Sequence, residues 1–358
     1  MKLEELLQEM VNRNASDVFI EAGLPLTFQE DGRQVRIDGA PFKPADTEAL
    51  ITEIYSLAHR SMEPFLQSHN HDDDFSFSLP GVGRFRVNVF RQRGSLGAVI
   101  RIIPFDLPKA DELHIPEQVM QLADLRKGLV LVTGPAGAGK TSTLACIIDR
   151  INHDRSGHII TMEDPIEYVH SHDNCIVTQR EVPTDVATYD EALRSAMREA
   201  PDVMLLGEMR DADTIATAMT AAEMAQLLFS TLHTTGAAST IDRIIDAFPA
   251  TQQRQARMQL AMVLQAVISQ QLVPAKDGTM VPAFEIMVAT PAIRNLIREE
   301  KTHQIDSVLA ANAEAGMCTM DQSLYDLAKR GVITSETALL HSMHQDALKL
   351  RFEMDDVR

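Results

Sequence analysis

The sequence predicts an α/β protein with a parallel-sheet core, preceded by a small α+β domain and followed by C-terminal helices. Three observations lead there. Between Gly128 and Ser230, short apolar runs (GLVLVT, HIITM, VMLL, LLFS) alternate with stretches of helical periodicity, as strands buried on both faces and crossover helices require. Before residue 104, short strands and turns follow one another without that alternation. After Thr290 the spacing is almost wholly helical. At 358 residues, 45% of them hydrophobic, the chain is long enough for two cores.

Taken in order, Leu3, Leu6, Leu7, Met10 and Val11 mark one face of a first helix. Asp17 to Glu21 reads as a strand. Leu26 to Glu30 and Gln34 to Ile37 read as a hairpin around Asp31-Gly32. Asp46 to Leu57 reads as a helix capped by Asp46 or Thr47. Three strands follow, Asp74 to Leu79, Arg84 to Arg91 and Ala98 to Ile103, with Asp72 to Asp74 read as a surface turn. The resulting boundaries are an N-terminal domain at 1–104, a Pro-containing linker at 105–116, the alternating domain at 117–290 and a helical region at 291–358. In the last part, Pro291 to Glu300, His303 to Asn312, Met320 to Lys329 and Ser335 to His341 read as helices, and Glu353 to Arg358 as a charged end. Met280 to Val288 reads as outer strand.

Charge and cysteine content bound the chemistry. With Asp+Glu 51 against Lys+Arg 33 and a net charge of −18, the chain is a poor non-specific ligand for nucleic acid or anionic lipid. Cys146, Cys175 and Cys318 are scattered and form no CxxC pair, so neither a disulfide framework nor a zinc knuckle is expected. MKLEELLQEM has no secretory pattern and no apolar run reaches membrane-spanning length. The expectation is a cytoplasmic chain without membrane insertion, able to dock on a membrane machine.

Gly134-Pro135-Ala136-Gly137-Ala138-Gly139-Lys140-Thr141 matches the phosphate-loop pattern G-x-x-x-x-G-K-[ST], between an apolar strand and a helix. The glycines let backbone N–H groups turn inward on phosphate oxygens, and the helix start adds positive potential. Lys140 reaches the β- and γ-phosphates, and the Thr141 hydroxyl is a ligand for Mg²⁺. Ser142 completes the nucleotide-binding set. Hydrolysis needs carboxylates too. Glu163 and Asp164 follow the strand His158 to Met162, and Glu208 follows Val203 to Leu206 by one glycine. Ligand groups gather at the carboxyl ends of parallel strands, so these acids should face the phosphate loop. For each acid alone a helix cap or a surface position competes. His233 follows Leu227 to Ser230 by the same logic, as a γ-phosphate sensor or a structural histidine. In the N-terminal domain, Arg84 and Arg86 share a strand face, with Arg91, Arg93 and Arg101 nearby. They are either a solvated strand face or arginines that reach a nucleotide. His69 and His71 beside Asp72 to Asp74 read as surface rather than as a metal site.

These residues carry a family resemblance. Gly134 to Thr141, Ile160 to Glu167, Gly207 to Asp211 and Ser230 to Thr234 resemble the Walker A, Asp box, Walker B and His box of the secretion ATPase superfamily. Within it the chain resembles the type IV pilus retraction (twitching motility) ATPases, the PilT/PilU family. Thr290-Pro291-Ala292-Ile293-Arg294-Asn295-Leu296-Ile297-Arg298-Glu299 matches their C-terminal signature, and Ser16-Asp17, Phe85 to Asn88, Gln179 to Val182 and Gly316-Met317 match as well. The resemblance spans nearly the whole chain. It implies a homo-hexamer of PAS-like and RecA-like domains that hydrolyses ATP with Mg²⁺ and powers pilus retraction. It also implies a location peripheral to the cytoplasmic face of the membrane, an inner-membrane pilus platform protein as partner, and a paralogous retraction ATPase as a second one.

By the same resemblance, Arg86 and Arg101 contact the nucleotide, Glu163 activates water, Glu208 serves the Mg²⁺ side directly or through water, and His233 couples nucleotide state to domain motion. Assembly ATPases of the superfamily usually carry a tetracysteine insertion that is missing here, which favours the retraction branch. An assembly ATPase, an accessory paralogue dependent on a partner and a nucleic-acid translocase are the competing readings. One departure is Ala225-Gln226, where the family usually has Gly-His.

Overall fold

The computed structural model describes residues 2–30, 32–103 and 107–355. Asp31 of the expected hairpin turn, Phe105 and Asp106 of the expected linker, and 356–358 of the charged end lie outside the described residues. The chain divides into two compact units, Met1–Asp106 with Glu167–Val169, and Leu107–Ile166 with His170–Arg358.

The first unit runs α1 (Leu3–Asn12), β1 (Asp17–Ile20), β2 (Thr27–Glu30), β3 (Arg33–Arg36), α2 (Pro44–Leu57), α3 (Glu63–Gln67), β4 (Asp72–Leu79), β5 (Gly83–Gln92) and β6 (Ser95–Ile103). Its strands form one antiparallel sheet in the order β3-β2-β1-β6-β5-β4. The alternation in β5 decides which face is covered. Phe85, Val87 and Val89 are fully buried with Leu3, Leu6, Leu7 and Met10 of α1 and Ile51 and Ile54 of α2, while Arg84, Arg86 and Asn88 take the other face.

Two local expectations for this unit are corrected. Helix α2 begins at Pro44 with Lys43 at its cap, and Asp46 works from inside the first turn, its carboxylate accepting from the Lys43 backbone N–H at 2.7 Å. Asp72 to Asp74 open β4 rather than a turn, because β5 supplies donors across the ladder: Asn88 donates to Asp72 at 2.8 Å and Arg86 to Asp74.

The second unit runs α4 (Glu117–Met120), β7 (Gly128–Thr133), α5 (Lys140–Asp154), β8 (Gly157–Glu163), β9 (Cys175–Glu181), α6 (Tyr189–Ala196), β10 (Val203–Leu206), α7 (Ala212–Glu223), β11 (Leu227–Leu232), α8 (Ala237–Asp246), α9 (Ala250–Val263), β12 (Leu264–Pro274), β13 (Met280–Val288), α10 (Pro291–Arg298), α11 (Ile305–Ala311), α12 (Met320–Lys329), α13 (Ser335–His341) and α14 (Gln345–Met354). Its seven-stranded sheet has the order β13-β12-β7-β11-β10-β8-β9, and only the β12–β13 pair is antiparallel. The apolar run of β7 is divided between two cores. Leu129 and Leu131 join Ile160, Met162, Met204 and Leu206 on one face; Val130 and Val132 join Ile159, Leu205 and Phe229 on the other.

Residues 107–116 pack with this sheet, Ile115 being buried against α4 and α5 residues. Beyond β12 and β13, the helices α12 to α14 close a further core of Val273, Val281 and Ala283 with Met320, Leu324, Tyr325 and Phe352. Ala225, just before β11, holds a left-handed φ of 68°, a conformation that favours glycine. It lies with Gln226 at the amino end of β11, the end of the parallel sheet away from the phosphate loop.

Candidate functional site

Strand β7 ends in the loop Gly134 to Gly139, and α5 starts at Lys140. The loop is pressed against β12. A Cβ on Gly134, whose φ is +141°, would lie 2.1 Å from the Gln270 carbonyl oxygen, and one on Gly139, at φ +83°, 2.9 Å from Gln270 Nε2. Gln270 also accepts from the Thr143 hydroxyl at 2.8 Å, so one β12 side chain braces both the loop and the helix behind it. Pro135, Ala136 and Gly137 form the exposed crest, Ala138 is buried, and Thr141 and Ser142 are half-buried in the first turn of α5. The Lys140 ammonium is buried and donates to the Gly134 and Pro135 carbonyls at 2.8 and 3.0 Å. It therefore spans the mouth of the loop, where a phosphate bound by the amides would meet it.

The acids sit at the carboxyl ends of the neighbouring strands. Glu163 is the last residue of β8 and is buried. Its Oε1 accepts from the Thr161 hydroxyl at 2.6 Å and from Gln179 Nε2 at 3.2 Å. Glu208, one glycine past β10, is bonded by Arg210 and has His233 Nε2 at 3.2 Å from its Oε2. The Glu208 side chain is only 13% exposed while His233 is 59% exposed, so the histidine is the outer member of that pair. Tyr189, unremarked in the sequence, also belongs here: burial first, then the charges of Asp164 and Glu208, push its phenol above its ordinary range and keep it protonated.

Arg86 and Arg101 lie in the first unit, directly opposite each other on β5 and β6. Each is held by a carboxylate. Arg86 makes a forked contact with Asp74 at 2.5–3.2 Å, and Arg101 Nε donates to Asp17 at 2.8 Å. With Asn88 and Val99 these residues line a cavity of 280 Å³. The Arg101 side chain remains 65% exposed and Asp17 only 8%. Asp17 was legible as a motif residue but not as the partner of an arginine 84 positions away.

Among the described residues no group of three or more His, Cys, Asp or Glu is arranged to hold a metal. The donors that do fit Mg²⁺ are the Thr141 hydroxyl and the Glu208 carboxylate, hard oxygens that would need phosphate oxygens to complete the shell.

His170 is buried in the second unit, and burial alone lowers its imidazole from 6.5 to about 4. The unfolded chain therefore takes up a proton below pH 6.5 that the folded chain refuses. The stability from keeping His170 neutral is complete above pH 6.5 and is lost as the pH falls through about 4, an effect of about 3 kcal/mol. Urea unfolding from pH 7.5 to 4.5 should show His170→Phe losing less stability than the parent chain. Equal losses would remove this residue from the acid response.

Residues 1–322 match the family described as "Type II/IV secretion system protein". The "Type IV pilus retractation ATPase PilT" of Pseudomonas aeruginosa is 47% identical over 339 residues, spanning 94% of this chain and 97% of that protein. The "Type IV pilus ATPase PilU" of the same organism is 39% identical over 355 residues, spanning 99% and 92%. A crystal structure of the pilus retraction motor PilT with bound ADP superposes with a TM-score of 0.89 at 44% identity, covering 98% of this chain and 99% of that one. A phosphate loop backed by two strand-end acids and a histidine, on a chain this similar from end to end, belongs to the type II/IV secretion system protein family, in its pilus retraction ATPase branch.

Proposed function

We propose that this chain is an ATP-hydrolysing motor that powers type IV pilus retraction, working as a homo-hexameric ring against an inner-membrane platform protein, at the cytoplasmic face of that membrane. The observation that carries the reading is the convergence of Lys140, Glu163, Glu208 and His233 at the carboxyl ends of β7, β8, β10 and β11 of one parallel sheet. Among the described residues no helix is long and apolar enough to cross a membrane, which fits a peripheral position. In this reading residues 117–290 are the RecA-like ATPase domain, residues 1–104 the PAS-like domain, and 291–358 a helical region, with 105–116 joining the first two.

The placement of these residues supports one division of labour. Backbone amides of Gly134 to Ser142 hold the phosphates, and Lys140 neutralises charge that builds on the γ-phosphate side. Bound Mg²⁺ would supply further neutralisation of the phosphate oxygens, held by Thr141 and, directly or through water, by Glu208. Glu163 orients the attacking water and accepts its proton. His233 reports the presence of the γ-phosphate through its contact with Glu208. Arg86 and Arg101 contact the nucleotide by exchanging Asp74 and Asp17 for phosphate oxygens.

In a piliated host, cells lacking the chain should be hyperpiliated and unable to retract. Re-expressed parent chain should restore retraction, whereas Arg86→Ala and Arg101→Ala should each restore less than about a tenth of it. Bald cells would reverse the direction of the motor, and full rescue by both variants would return the arginines to a solvated sheet face. The match to PilU over 99% of the chain favours a second reading, an accessory retraction ATPase that works through a paralogue. Sustained turnover by the isolated chain decides against it.

A further inference from the structure

We infer that Gln179 is a positioning residue for hydrolysis: its side-chain amide sets the orientation and charge of the Glu163 carboxylate. The inference rests on the reading of Glu163 as the water-activating base.

Strands β8 and β9 are parallel, with Thr161 opposite Gln179 and Glu163 opposite Glu181. Thr161, Glu163 and Gln179 consequently share one face of the sheet. Two neutral donors from that face, the Thr161 hydroxyl at 2.6 Å and Gln179 Nε2 at 3.2 Å, converge on the same oxygen, Glu163 Oε1. A carboxylate held by donors from two strands keeps a constant orientation, which is what a base aimed at a water needs. The same bonds favour the ionised form. Glu163 is buried, and its neighbour in the ladder, Glu181, is a second buried carboxylate, satisfied by the Ile166 N–H and the Thr184 hydroxyl.

Gln179 is itself fixed at its other end. Its Oε1 accepts from the His170 backbone N–H at 2.8 Å, so the amide cannot flip without losing both contacts. The polarity of the chain is thus defined: His170 N–H to Gln179 C=O, Gln179 N–H to Glu163 carboxylate. Glutamine is the side chain of this length that both accepts and donates in those two directions; glutamate would keep the first contact and oppose the second.

That difference supplies the test. ATP turnover would be measured over pH 5.5–9 for the full-length chain and for Gln179→Glu, Gln179→Leu, Glu163→Gln and Gln179→Leu/Glu163→Gln, with KM for ATP determined in each. Both Gln179 variants should lower kcat at neutral pH about tenfold or more, leave KM within about twofold, and shift the acid limb of the kcat profile to higher pH, Gln179→Glu the further. The double variant should be no slower than Glu163→Gln alone, because Gln179 acts through Glu163. A Gln179→Glu chain with parental kcat and parental pH profile overturns the inference while Glu163→Gln remains inactive. A loss in Gln179→Leu that persists in full on top of Glu163→Gln also overturns it, as a general structural role would produce that. Parental turnover by Glu163→Gln removes the underlying reading of Glu163 and this inference with it.

Discussion

Lys140→Ala should reduce ATP turnover at least about 100-fold, among the largest catalytic losses expected from a single substitution in this chain. The ammonium is buried at the mouth of the loop and already engaged by two carbonyls, so its position is set before nucleotide arrives. Removing it leaves the loop amides in place, and nucleotide diphosphate affinity should fall much less than kcat. The Gly134 and Pro135 carbonyls lose a donor, so thermal unfolding must be measured alongside; a melting temperature within about 3 °C of the parent would assign the loss to chemistry. Parental turnover in Lys140→Ala would mean that this loop is not where ATP is hydrolysed.

Gly134→Ala should be the most damaging change to the fold of the site. The residue combines a φ of +141° with a would-be Cβ only 2.1 Å from the Gln270 backbone oxygen. That oxygen belongs to β12 and cannot rotate away as a side chain would. The loop and the strand must separate, at a cost on the order of 3–5 kcal/mol. Nucleotide binding should be lost with it. Gly137→Ala is the control. It also has positive φ, +76°, but its Cβ would meet nothing within 4 Å. It should cost about 1 kcal/mol and keep most of the affinity. If the two variants melt together, the packing of the loop on β12 is not what holds it.

The sequence discloses the site better than it discloses the sheet around it. Gly128 to Thr133 and the strand-end acids are legible because parallel strands buried on both faces are written as unbroken apolar runs, each followed by its functional residue. Strand β12 is not written that way. LQAVISQQLVP carries Ser269, Gln270 and Gln271, and it follows α9 without a turn signal. Those polar residues are explained only in three dimensions: Gln270 braces the phosphate loop and Ser269 accepts from the Gly236 N–H. Strand β9 is similar, because the partners of Gln179 and Glu181 come into view only when β8 is laid beside them. The aspartates of β4 looked like a turn because the charges that hold them come from Arg86 and Asn88 on the next strand. In each case the missing information is a partner distant in sequence, which periodicity cannot carry.

The carboxylate of Glu285 on β13 accepts from two backbone amides at once, Ala237 at the start of α8 and Met320 at the start of α12. A boundary placed near residue 291 makes the C-terminal helices look like an appendage that could be trimmed. Trimming before Met320 would withdraw one of the two donors from a buried carboxyl group and would uncover the apolar wall formed by Val273, Val281 and Ala283. The other donor anchors the helix that begins four residues after His233. The tail of the chain is therefore part of the masonry that sets the His-box turn, and a shortened protein is not a simpler version of this enzyme but a differently built one.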